Sequence, residues 1–170
     1  MGKKNKQAGT GRDQTHHSRR QQASDDLAFQ HAVRCHEMGL LDEAEQLYRS
    51  ILKAQPNHPD TLLLLGFLHV GAGRYAEALD TTRRAVATNP RHPVAHFNQG
   101  LALLGAGRND QAIACFERAI ALKPDYAEAH SNLGLARQNL CDHTGAVTCF
   151  DRAIVCSPQL DAAFSNRGIS

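Results

Sequence analysis

The sequence predicts an all-α solenoid of antiparallel helix pairs, and three ladders in register predict it. The first is Pro56, Pro90, Pro124 and Pro158, which are evenly spaced along the chain. Ala44, Ala78, Ala112 and Ala146 form the second, each at the same distance ahead of its proline. Gly66, Gly100, Gly134 and Gly168 recur at the same period, with Ala32 in the first unit's place. A fixed period of this length belongs to helix pairs that stack on one another, because no single pair can bury its apolar face alone.

With each proline at position 32, the units are 25–58, 59–92, 93–126 and 127–160, followed by a partial fifth at 161–170. The first helix of each unit starts near position 1. Its small residue at position 8 lets the second helix approach closely, where a larger side chain would wedge the pair apart. Gly39, Gly73 and Gly107 fall at position 15, where glycine ends one helix and turns the chain. In the second helix the alanines of position 20 again permit close approach. Position 24 carries the large residues Tyr48, Phe116 and Phe150, with Thr82 in the second unit. Position 27 carries Ile51, Ala85, Ala119 and Ala153, and each proline then stops the helix.

These residues resemble the tetratricopeptide repeat, with its L-G, A, F, A and P signature over 34 positions; the resemblance covers 25–170 and implies a right-handed superhelical solenoid. Departures are local: His96 and His130 stand where the family often has tryptophan, Thr82 replaces an aromatic, and Cys141 replaces the position-15 glycine. They predict looser packing in the second and fourth units and no change of fold.

Composition narrows the function. There is no tryptophan, so stability must come from many Leu and Ala contacts. The net charge of +2 conceals an asymmetry: residues 1–24 hold six Lys/Arg against one acid, whereas 25–170 hold 13 basic and 16 acidic residues. The segment 1–24 is a basic tail with almost no apolar side chains, too polar to offset the entropy of ordering, and is expected to be disordered. Such a tail can contact nucleic acid or anionic lipid; a solvated tail is the simpler reading, and nucleic acid is not the expected partner. No apolar h-region marks a secretory signal, Lys6 occupies the place where a myristoylation site needs Ser or Thr, and no apolar run would span a bilayer. The five cysteines form no C-x-x-C pair, and their odd number argues for a reduced, cytoplasmic setting.

Chemistry is sparse. The chain has no phosphate-binding loop, zinc-protease or nucleophile-elbow motif. Of its ten histidines, His58 shares a repeat position with His92 and His96 with His130, which separates these equivalents too far to share a metal. No cofactor, no metal and no catalytic residue are expected, and the chain reads as a non-enzyme.

What the resemblance implies is a groove lined by the first helices, at about positions 2, 5, 6, 9, 12 and 13. Position 6 carries Asn98, Asn132 and Asn166, three primary amides in successive units. Each can donate and accept at once, so the ladder can bond the backbone of an extended peptide. It is similar to the asparagine ladder of O-linked N-acetylglucosamine transferase arrays. Asparagine is also frequent here across the family, so a packing role stays open beside the gripping one. Leu63, Leu64, Phe67 and Val70, then Phe97, Leu101 and Leu104, predict an apolar floor fit for an apolar helix or an extended segment with large side chains; burial between neighbouring helices is the alternative. Position 2 carries Asp26, Asp60, Val94, Glu128 and Ala162 and no base, which excludes the basic clamp that chaperone-binding relatives close on a carboxylate terminus.

The expected function is a scaffold that binds a peptide or protein segment in this groove. The alternative is the substrate-recognition fragment of a transferase similar to the O-linked N-acetylglucosamine enzymes. The partial fifth unit would leave Phe164 and Ile169 uncovered, which allows self-association through that end.

Overall fold

The computed structural model describes residues 25–158, and all regular structure among them is α-helical. The helices are α1 (25–37), α2 (Leu41–Ala54), α3 (Pro59–Gly71), α4 (Tyr75–Thr88), α5 (Pro93–Gly105), α6 (Asn109–Leu122), α7 (Ala127–Asn139) and α8 (His143–Cys156). They divide between two compact units, the described part of 1–56 and that of 57–170. The basic tail 1–24 and the partial unit 161–170, with Asn166, Phe164 and Ile169, lie outside the described residues.

Local chemistry sets each boundary. Pro59 and Pro93 open α3 and α5, where a missing amide costs nothing and the fixed φ suits the first turn. Asp142 caps α8 by accepting from the Gly145 amide at 2.9 Å. The second helices α2, α4, α6 and α8 all stop just short of a proline. Gln55, Asn89, Lys123 and Ser157 there take ψ of 83°, 87°, 91° and 94°, because the following ring excludes the helical region.

The turn within each pair is the same paired-bond C-cap throughout. Gly73 donates to Val70 O and Arg74 to His69 O, at 3.0 and 2.9 Å; Gly107 and Arg108 repeat this with Leu104 and Leu103. The motif needs a left-handed residue, and Gly39, Gly73 and Gly107 supply it at φ 77°, 70° and 72°. Cys141 adopts the same conformation at φ 62° without being glycine, and its amide still bonds Gln138 O at 2.9 Å. The departure in the sequence therefore leaves the turn geometry intact and stores strain in one residue. Cys141→Gly should stabilise the chain by about 1 kcal/mol, read as a rise in the midpoint of thermal or urea unfolding. An unchanged or lower midpoint would show that the left-handed residue carries no such cost.

The other departures also keep their place by making bonds. His96 Nε2–H donates to Pro90 O at 2.9 Å, and His130 Nε2–H donates to Pro124 O at 3.0 Å, each tying a first helix to the loop before it. Thr82 is fully buried and its hydroxyl donates to Ala78 O at 2.7 Å, so no orphaned donor is left at this position.

In the unit beginning at residue 57, α3 packs on α4, α5 on α6 and α7 on α8. Neighbouring pairs join through α4 on α5 and α6 on α7, around a core of Phe97, Leu103, Phe116, Tyr126 and Leu133 interspersed with alanines. Close approach within a pair rests on position 8: a Cβ on Gly100 would stand 2.5 Å from the Phe116 ring, and one on Gly134 would stand 2.6 Å from Phe150. In addition, α3 meets α5 and, more lightly, α5 meets α7, while contacts of α4 with α6 and of α6 with α8 are fewer among the described residues. Tighter spacing in one layer curves this unit toward it. The first helices α3, α5 and α7 form its inner face.

Candidate functional site

What each inner helix presents follows from what it buries. On α3, Thr61, Leu62, Leu65, Gly66, Leu68 and His69 face inward to the core. That leaves Asp60, Leu63, Leu64, Phe67, Val70 and Gly71 toward the inner face. Phe67 is 48 % exposed, and Leu64 and Val70 are half-buried. On α5 the corresponding residues are Leu101 and Leu104, both half-buried against the core cluster. On α7 they are Leu135, half-buried, and Gln138, exposed. The surface therefore grades from apolar at α3 and α5 to polar at α7.

The site residues expected from sequence divide into four groups. Leu63, Leu64, Phe67 and Leu101 lie half-buried or exposed on this face. Phe97 and Asn98 do not stand open on it, and for both the expectation is corrected. Phe97 is only 9 % exposed, with its ring centroid 4.9 Å from Tyr126 and 5.9 Å from Phe116. Asn98 is 3 % exposed, and its Nδ2 donates to Leu63 O at 3.1 Å, which ties α5 to α3. Asn132 is half-buried, and its Nδ2 donates back to Glu128 O at 2.8 Å, a local helix bond. Asn166 lies outside the described residues.

Two features of the face were not anticipated. Gly71 and Gly105 share position 13, but they differ in surroundings. A Cβ on Gly71 would meet nothing within 4 Å, so this position is open. A Cβ on Gly105 would collide with the Tyr75 ring, so that position is filled by the aromatic of α4. At the next step the position-13 residue is Asn139, which donates to Asn109 Oδ1 at 3.1 Å. The recurrence of glycine at position 13 was the available signal; that Gly105 is closed depends on the tyrosine at position 17 of the pair before it.

The charges nearby are mixed. At the start of the inner helices Asp60 and Glu128 are exposed, and the loops before α5 and α7 add exposed Arg91 and Lys123, the latter with its ammonium 4.9 Å from the Tyr126 ring. At the opposite end, Arg74 pairs with Glu77 at 3.4 Å and Arg108 is exposed. No nucleophile, base and orienting group are brought together on this face among the described residues. Burial pushes the Cys115 and Cys149 thiols above their usual range, which disfavours the reactive thiolate. No helix among the described residues is long and apolar enough to cross a membrane.

A stack of helix pairs with a shallow apolar inner face is the architecture of a protein-interaction scaffold. Two family models match the sequence, one described as tetratricopeptide repeat over residues 36–97 and one as TPR repeat over 100–140. Together they cover more than half of the chain, which belongs to the tetratricopeptide repeat family. Solved structures agree. A crystal structure of MamA is 29 % identical with a TM-score of 0.69, and the match covers 75 % of this chain and 74 % of that one. MamA residues 41-end from Desulfovibrio magneticus RS-1 share the fold with a TM-score of 0.73 at 23 % identity, over 81 % and 77 % of the two chains. A mutant O-GlcNAc transferase from Thermobaculum terrenum is 33 % identical with a TM-score of 0.65, over 68 % of this chain but 22 % of the transferase. No curated protein matches the sequence. Proteins of this family bind protein partners, and the repeat fold is typically non-catalytic.

Proposed function

We propose that the chain is a scaffold that takes a peptide or protein segment along the inner face of its array, through large apolar side chains. The observation that carries this reading is Phe67, an aromatic 48 % exposed among half-buried Leu64, Val70, Leu101 and Leu104. Contiguous apolar surface of this kind on a water-facing concave side is characteristic of partner sites. Asn132 and Asn166 add amide bonds to the bound backbone, while Asn98 sets the spacing of Leu63 and Leu101 by holding α5 on α3, and Phe97 supports the floor from beneath. The odd number of cysteines supports a cytoplasmic location.

The test is selection of binders from a random peptide library on the full chain, followed by titration against Phe67→Ala/Leu101→Ala. Removing two partly exposed apolar side chains should weaken the selected peptides by about tenfold or more. Peptides that bind the double variant as tightly as the wild type would place the site elsewhere.

A second reading is favoured by one observation, the 33 % identity to the transferase from Thermobaculum terrenum. In it the array is the substrate-recognition arm of a glycosyltransferase. Reading the gene beyond residue 170 separates the two: a glycosyltransferase domain supports the arm, and further helix pairs ending in a polar cap overturn it.

A further inference from the structure

We infer that α1 and α8 carry the two halves of one interface, on which a second copy of this chain docks head to tail. The inference does not depend on the inner face. Its basis is the joint that the unit beginning at residue 57 builds twice within itself, α4 on α5 and α6 on α7. On the first-helix side of that joint, positions 3, 7 and 10 are closed. Ala95, Ala102, Ala129, Leu133 and Ala136 are buried there, and Gln99 is half-buried. On the second-helix side, positions 21 and 28 hold buried Leu79 and half-buried Val86, Ile113 and Ile120. The same positions stand open on α1 and α8. Leu27, at position 3 of α1, is 64 % exposed, and His31 and Arg34 at positions 7 and 10 are exposed with it. On α8, Val147 and Ile154 at positions 21 and 28 are 58 % and 39 % exposed. Each set follows the i, i+4, i+7 spacing of one helix stripe. Among the described residues α1 is a first helix with no second helix before it, and α8 a second helix with no first helix after it.

Charge matches the two stripes to each other. In the α6–α7 joint the acid at position 25, Glu117, pairs with Arg137 of the following first helix at 3.2 Å. Asp151 stands at the same position of α8, exposed between Val147 and Ile154, and Arg34 stands exposed on the α1 stripe. Neither Arg34 nor Asp151 makes an ion pair or side-chain hydrogen bond among the described residues. The other charges nearby lie off the stripes. Asp25 accepts from Gln55 at 2.6 Å, and Asp26 and Glu37, at positions 2 and 13, are on the side that forms the inner face in later units. Arg152 follows Asp151 directly and is turned from it by about 100°. The chain's own ends fit less completely. The tail 1–24, with six Lys/Arg against one acid, meets Arg34 with like charge; 161–170 offers Arg167 to α8 but leaves the α1 stripe uncovered. A second copy covers both stripes with one kind of contact, a heterologous one that can repeat.

Sedimentation velocity of the full chain over a range of concentrations tests this. The weight-average mass should rise above the monomer's with concentration, and more steeply at low salt. Arg34→Asp and Asp151→Arg should each weaken association by about tenfold or more, because each sets like charges across the joint. Both side chains are exposed, so the circular dichroism melt of each dilute variant should match that of the dilute wild type. An equimolar mixture of the two variants restores opposite charges wherever the two kinds of copy alternate, and its mass should return to the wild-type value. Phe67→Ala/Leu101→Ala should assemble as the wild type does. A wild type that stays monomeric at every concentration overturns the proposal, since the ends of the chain then cover the stripes themselves. A mixture no heavier than its separate variants, or single variants that assemble undiminished, overturns the pairing of Arg34 with Asp151. Loss of assembly in Phe67→Ala/Leu101→Ala would move the contact to the inner face and overturn it as well.

Discussion

Gly100→Ala should cost about 3 kcal/mol of stability, at the upper end of what one added methyl does in a filled core. The new Cβ would stand 2.5 and 2.7 Å from two ring carbons of Phe116, and Phe116 is fully buried between α5 and its neighbours. The ring cannot turn away without leaving its own site, so α5 and α6 must separate. Spacing between them also fixes how α5 meets α7, and the strain spreads along the array. Alanine would otherwise favour the helix by about 1 kcal/mol, so the observed loss is net of that gain. The comparison with Gly66→Ala makes the test specific. There the obstacle is a Thr82 methyl at 2.8 Å in place of a ring, and the loss should be smaller. Urea unfolding of both variants checks the order. Equal losses, or a stable Gly100→Ala, would mean that the small residue at position 8 is a matter of helix entropy and not of pair spacing.

The same contact explains what could be read in the sequence. Proline and position-15 glycine act through rules that concern one residue and its immediate chain. Their register located the helix ends and the left-handed turns without any knowledge of packing. Even Cys141 was legible as a departure, although the residue takes the glycine conformation at φ 62° where looser packing was expected. The inner face was less legible because its exposure depends on neighbours a whole repeat away in sequence. Leu63 and Phe97 occupy the same position, but Phe97 is covered and Leu63 is not fully so. Tyr126 accounts for the covering of Phe97. It stands in the ladder place of His58 and His92, and its ring lies over Phe97 at 4.9 Å. Asn98 and Asn132 are likewise equivalent in sequence and differ in use, since only the first finds a carbonyl of the adjoining helix. A periodic sequence gives the direction in which a side chain points. What meets it there is set by the residue types of the next pair.

Phe97→Ala should be the more damaging substitution, costing about 4 kcal/mol, because it removes a nearly buried ring from a three-ring stack. Phe67→Ala, at a ring 48 % exposed, should cost far less stability while weakening peptide binding. The two phenylalanines thus separate core from site by opposite readouts. Tyr126 supplies an independent check on the first. Burial, with a smaller contribution from the Glu128 carboxylate, pushes its phenol up to about 12 from an ordinary 10.0. A raised value means the folded chain holds the neutral phenol, so this contribution to stability is complete below pH 10 and is lost as pH rises toward 12. With Phe97 gone, water reaches the Tyr126 ring and its titration should move down toward 10, visible by ultraviolet absorbance in the still-folded variant. A Phe97→Ala protein that melts like the wild type and leaves Tyr126 unmoved would return Phe97 to the groove floor. A destabilised protein with a shifted Tyr126, which still binds peptide at temperatures where it stays folded, would fix Phe97 as the keel on which α5 and α7 are set.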